Sequence, residues 1–197
     1  AERAGQRVGA FLFDREIDRV FPPRRGRHHA MALISAALQY QSGRLQYRRA
    51  SADSTAMSSN LRTAITGAER LLKRRSMVVL ISDFISLNWE QELGGLSRKH
   101  DVIAIRISDP LNNELPELGL ITLEDPETHI RITAPTTNAS FQEAWSRWNE
   151  DRRELWQNMC RKAGAAHLEL PTGADAAALL FHFFGSKRPH TGRREYQ

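Results

Sequence analysis

The chain has 197 residues, 41% of them hydrophobic, and 28 Lys+Arg against 23 Asp+Glu give a formal net charge of +5. That length suits one packed core with appendages, and no internal repeat or low-complexity tract argues otherwise. No apolar stretch approaches the roughly 20 residues that cross a bilayer, the start has no hydrophobic signal region, and the lone Cys160 has no intrachain disulfide partner, so a soluble, cytoplasmic protein with no membrane role is expected.

Arg7-Val-Gly-Ala-Phe-Leu-Phe-Asp14 reads as a short apolar strand, and residues 17–22 alternate after a turn of a few residues, which predicts a hairpin. Met31, Ile34, Ala37 and Leu38 repeat at helical spacing up to Gly43, a helix stop, and a polar, serine-rich loop is expected from 43 to 57. Leu61, Ile65, Ala68, Leu71 and Leu72 mark an amphipathic helix with Ser58 or Ser59 placed to cap it.

The most informative run is Ser76-Met-Val-Val-Leu-Ile-Ser-Asp-Phe84, apolar without alternation until Ser82 and Asp83. Such a run belongs to a strand covered on both faces, and ligands of open α/β sheets sit beyond the carboxyl ends of such strands. Trp89, Leu93 and Leu96 outline a short helix, and residues 101–109 form a second buried strand ending on Ser-Asp. A right-handed crossover then sets Asp83 and Asp109 at one edge of a parallel sheet. Residues 119–124 and 129–133 flank Asp125-Pro-Glu-Thr as an added β-hairpin, about 118–134. Phe141, Trp145, Trp148, Leu155 and Met159 follow one face of a long charged helix ending near Gly164, an aromatic stripe read most simply as core. Residues 166–170 are a last strand, and Thr172-Gly-Ala-Asp175 offers a capping box to a helix over 176–184.

These segments, in this order, resemble the bacterial family named domain of unknown function 58. The resemblance rests on Arg7-Val-Gly-Ala-Phe-Leu-Phe-Asp14, Pro22-Pro-Arg-Arg-Gly-Arg27, Leu80-Ile-Ser-Asp-Phe84, His100-Asp-Val-Ile-Ala-Ile-Arg106, Asp109-Pro-Leu, Leu123-Glu-Asp-Pro-Glu-Thr128 and His167-Leu-Glu-Leu170, over roughly residues 3–184. It implies an α/β fold: a doubly wound, mostly parallel sheet of von Willebrand factor A-like type over residues 1–185, here lacking its first, central strand; the basic tail at 186–197 has no apolar periodicity and is expected to be disordered. The resemblance also implies a metal-ion-dependent adhesion site, in which Asp83 matches the family's aspartate and Ser59 its threonine. Asn60 stands where the family tends to have aspartate, and the Asp-x-Ser-x-Ser loop is missing. Asp83 and Ser59 supply too few oxygens for Mg²⁺ or Ca²⁺, so no cofactor is expected in this chain, although a full-length protein could hold one. To compensate for the missing strand, either 7–14 pairs directly with 76–84 or strands are exchanged with a second copy in a homodimer, because each unpaired buried backbone group costs about 1–3 kcal/mol.

Members of that family are often encoded beside MoxR-type AAA+ ATPases, so the resemblance implies a non-enzymatic adaptor with such an ATPase as partner. The alternative is a Mg²⁺-dependent phosphoryl-transfer or hydrolytic enzyme that uses Asp14, Asp83 and Asp109 at strand ends. Asp14 and Asp109 suit turns better than catalysis, and no Gly-rich phosphate loop, Gly-x-Ser-x-Gly elbow or His-Glu-x-x-His is present. Basic clusters at 24–29, 48–49, 73–75 and 187–194 suggest nucleic acid. The aromatic residues do not lie between those cations, so nucleic-acid binding is not expected. Adjacent His28 and His29 point in different directions on a helix and make a poor metal pair, while His167 and His182 are read as packed or capping. Trp89 is either a partner contact beside Asp83 or a helix-start core residue.

Overall fold

The structure is a computed structural model that describes residues 6–13, 17–50, 61–86, 88–112, 115–124 and 131–186, with side chains of 41–50, 112, 124 and 186 excepted. Ser59, Asn60, Asp14 and the basic tail therefore lie outside the described residues, as does the turn of the inserted hairpin.

Strand β1 (Val8–Phe13) pairs antiparallel with β2 (Ile17–Arg24), from Val8↔Arg24 to Phe13↔Ile17. The ladder slips between Val8 and Ala10, and there a Cβ on Gly9 would meet the Phe21 carbonyl oxygen at 2.7 Å. Only glycine admits so close a backbone.

Helix α1 (Arg27–Ala50) runs through Gly43, which does not stop it. One glycine inside a helix costs only about 1 kcal/mol relative to alanine, and no proline follows to break the turn. The expected loop at 43–57 is thus helical as far as residue 50, and 51–57 lie outside the described residues. The apolar stripe of α1 also faces outward. Met31, Ile34 and Leu38 are exposed, whereas Ala36 is buried and Tyr40 donates to the Asp18 carboxylate of β2.

The central layer is a parallel sheet in the order β3 (Met77–Ser82), β4 (Asp101–Ser108), β7 (Ala166–Pro171). Helices α2 (Leu61–Leu71), α3 (Glu90–Lys99) and α4 (Ala139–Ala163) pack on it. They bury Leu61, Ile65, Leu93, Leu96, Trp156 and Cys160 against Leu80, Val102 and Ala104. Each large side chain so buried contributes about 1.5–3 kcal/mol. The crossover β3–α3–β4 is the βαβ unit expected from the residue pattern, but β3 is not covered on both faces as its unbroken apolar run predicted, since Met77, Val79 and Ile81 are exposed. β5 (Leu120–Glu124) and β6 (Arg131–Pro135) form the added antiparallel hairpin, and α5 (Ala176–Ser186) follows β7. The amides of α5 are capped by Asp175 itself, whose Oδ1 accepts from Ala178 N at 3.0 Å, rather than by a box opening at Thr172.

Direct pairing of residues 7–14 with 76–84 does not occur. β1 hydrogen-bonds β2 in a sheet of its own, and β4 alone flanks β3 among the described residues. The hairpin closes over a few residues, whereas joining β1 to β3 would close a loop of more than 60, at higher entropic cost. The hairpin lies instead on α1 and α2, so close that Ile17 leaves no room for a Cβ on Gly67.

Candidate functional site

The parallel register puts the carboxyl ends of β3, β4 and β7 on one rim, with Ser82 opposite Arg106 and Arg106 opposite Glu169. Asp83 follows β3 immediately and is exposed. Its Oδ1 accepts the Ile85 amide at 3.1 Å, and Ser82 Oγ accepts the Phe84 amide at 3.2 Å, so both side chains shape the turn they begin. Phe84 holds φ 56, the left-handed region disfavoured for a residue with a Cβ. It is kept there by burial against Trp89 and Trp156, at ring-centroid distances of 5.3 and 5.8 Å. The strained turn fixes the backbone immediately after Asp83.

Trp89 is core, 2% exposed, with its indole N–H donating to the Ser86 carbonyl at 2.9 Å. Asp109 follows β4 on the same rim and accepts the Leu111 amide at 2.9 Å, which makes it a turn residue. His29 Nε2 lies 2.9 Å from the Val8 carbonyl oxygen, packing α1 onto β1. His167 stacks edge-on against Trp156, while His182 is exposed on α5 rather than packed.

Five further residues build the rim. Arg106 is buried at 8% exposure in an otherwise apolar strand, with Nη1 3.4 Å from Glu169 Oε1 and its guanidinium 5.8 Å from the Trp156 ring. Glu169 is shared, since Arg153 Nε of α4 lies 2.8 Å from its Oε2 and Arg153 also reaches Glu150 at 3.2 Å. Arg152, half-buried, has its guanidinium 4.7 Å from the Trp148 ring. Burial and the neighbouring Arg106 charge lower the pKa of that guanidinium from its ordinary value, opposed by the Asp83 carboxylate; an arginine nonetheless stays protonated. Trp148, at 50% exposure, continues into Trp145 at 5.8 Å and Phe141 at 6.3 Å.

Of the five stripe residues, Met159 packs against the core, Phe141 and Trp145 are half-buried, and Trp148 and Leu155 face outward, while the buried aromatic of α4 is Trp156, which the stripe did not include. The expectation of an aromatic stripe inside the core fails at Trp148 and Leu155. A helical stripe shows that residues share a face; what covers the face depends on neighbours distant in sequence. The arginine inside residues 101–109, opposite the glutamate in Ala166-His-Leu-Glu-Leu170, is the signal that could have revealed the rim pair. Trp148 and Arg152 are likewise four apart on one helix.

As a metal centre the described donors do not fit. Asp83 is a single carboxylate already engaged by a backbone amide, and no group of three or more His, Cys, Asp or Glu suited to an ion exists among the described residues. The nearby charges acting at the rim include Arg106 and Arg152, which repel a cation.

Among known families, the one described as protein of unknown function DUF58 matches residues 1–155. The uncharacterized protein MAV169 of Mycobacterium avium is 31% identical over 168 residues, 85% of this chain and 93% of that protein. The uncharacterized proteins Mb1516 of Mycobacterium bovis and Rv1480 of Mycobacterium tuberculosis are each 28% identical over 185 residues, 93% of this chain. The chain spans 55% of the length of those two. No solved structure matches.

Proposed function

Because the chain belongs to the DUF58 family, we propose that it is a non-enzymatic interaction module, a cytoplasmic adaptor for a MoxR-type AAA+ ATPase, built on a von Willebrand factor A-like, doubly wound sheet. The observation that carries this reading is the rim itself. Ligands of open α/β sheets sit beyond the carboxyl strand ends, and beside that end the chain exposes Trp148 at 50% and Leu111 at 54%. Exposed tryptophan flanked by arginine is the composition of binding hot spots. The partner assignment comes from the family resemblance described above. A pull-down of the purified chain with the MoxR-type ATPase of the same organism, with and without Mg²⁺, tests it. Retention of the ATPase is expected, and no retention under either condition overturns it.

Strand exchange with a second copy belongs to the same proposal. Among the described residues β3 has no hydrogen-bonded neighbour on the side away from β4, an edge that accepts a further strand, and its Met77, Val79 and Ile81 leave one sheet face apolar beside it, at 64%, 42% and 58% exposure. Sedimentation velocity should give a concentration-dependent dimer that Val79→Lys weakens. A monomer at all concentrations overturns this part.

A further inference from the structure

We infer that the face of α4 beside the sheet rim binds an acidic peptide segment of a partner protein, with a partner carboxylate on Arg152 and an adjoining apolar side chain against Trp148 and Leu111. The inference rests on the reading of the chain as an interaction module, but it requires neither the ATPase nor a metal.

Arg152 is the uncommitted charge of the rim. Arg106 and Arg153 share Glu169, whereas among the described residues no carboxylate lies within ion-pair distance of Arg152, and Asp83 acts on it only through space. Stacking on the Trp148 ring fixes the guanidinium plane, which leaves the N–H edge available for a bidentate acceptor such as a carboxylate. The side chain is already ordered and partly desolvated, so less entropy is lost when an anion arrives.

The apolar half of the surface adjoins it. Phe141, Trp145 and Trp148 form a continuous run of ring contacts that ends at Arg152, and Trp145 Nε1 donates to the Leu111 carbonyl at 3.4 Å, bringing the exposed Leu111 alongside. A partly exposed aromatic run with a terminal arginine also resembles a stacking platform for single-stranded nucleic acid. Its charge argues for a peptide. Glu143, Glu150, Asp151 and Glu154 are exposed on the same helix, and repeated phosphates would meet them, whereas one carboxylate next to an apolar side chain would not.

The test pans a random dodecapeptide phage library against the full chain, then measures synthetic peptides from the selection by fluorescence anisotropy. The selected sequences should carry Asp or Glu beside an aromatic or aliphatic residue. Changing that acid to its amide, or using Arg152→Gln or Trp148→Ala protein, should weaken binding at least tenfold, while Arg161→Gln elsewhere on α4 should change it less than twofold. Arg152→Glu should turn the preference toward lysine-bearing peptides, a reversal that mere loss of packing would not produce. Failure to enrich acidic sequences, equal binding by Arg152→Gln, or displacement of the peptide by oligo(dT) at comparable concentration overturns the inference. Acidic-peptide binding without ATPase retention removes only the ATPase partner. ATPase retention unchanged by Arg152→Gln and Trp148→Ala removes only the peptide site.

Discussion

Arg106 shows how much one side chain decides in this molecule. A guanidinium at 8% exposure is tolerated because Glu169 lies directly across the strand pair and Trp156 offers its ring face. Removing the acid would leave that charge buried without its partner, a change that costs about 3 kcal/mol. Glu169→Gln should therefore lower the denaturant midpoint sharply with little change in slope, and a midpoint within error of the parent would contradict the ion-pair account. Cys160 is a second residue whose behaviour follows from its place. Burial pushes its thiol up to about 12, so almost no thiolate forms near neutral pH. Iodoacetamide should leave the folded chain unmodified over hours and label it within minutes in guanidinium chloride.

At the scale of elements, stability sits in caps and in short links between strands and helices. Helix α4 begins at Asn138, whose Oδ1 accepts the Phe141 amide at 3.1 Å, and ends at Gly164 with φ 72. Asn138→Ala should cost about 1 kcal/mol through the lost cap. Gly164→Ala should cost a similar amount, about 1 kcal/mol, through the left-handed backbone alone, since nothing lies within 4 Å of an added Cβ. Thermal melts of both variants measure this. Arg75 just before β3 holds Asp101 at the start of β4 at 2.6 Å, and Lys99 of α3 holds Glu69 of α2 at 2.6 Å. Hydrogen bonds from those cations lower both carboxyl pKa values below the ordinary ones. Their stabilisation is fully present above the ordinary carboxyl range near pH 4, and it is lost as pH falls through the lowered folded values. Asp101→Asn should accordingly flatten the acid limb of a stability-versus-pH curve below about pH 4 and leave its slope at pH 7 unchanged. An unchanged acid limb would exclude the Arg75 contact.

For the whole molecule, one cluster of buried side chains ties α2, α3 and α4 to the sheet, so loss at its centre should be felt everywhere. Leu93 is fully buried there, and Leu93→Ala should cost about 2–5 kcal/mol while keeping a single cooperative transition by near- and far-UV circular dichroism. Separation of the two signals would mean that the parallel sheet and the β1–β2 hairpin unfold independently. Outside that cluster the chain exposes apolar side chains on α1, on β3 and beside the rim. Beside the rim that surface adjoins Arg152, which has no carboxylate within ion-pair distance among the described residues, and this is why the inferred peptide site is placed there.

Periodicity disclosed most of the elements, because it is local, although α1 ran on past Gly43. The apolar run at 76–84, the crossover to 101–109, the inserted hairpin and the position of Asp83 just beyond a strand could all be read along the chain. The covering of each face, and the partner each strand takes, depended on residues far apart in sequence and so emerged only with the tertiary structure. Thus β1 kept β2 rather than joining β3, the α4 stripe was half outside, and Arg106 met Glu169 across 63 positions. Contacts over such separations depend on how the whole chain closes, and no pattern within a single helix or strand encodes them.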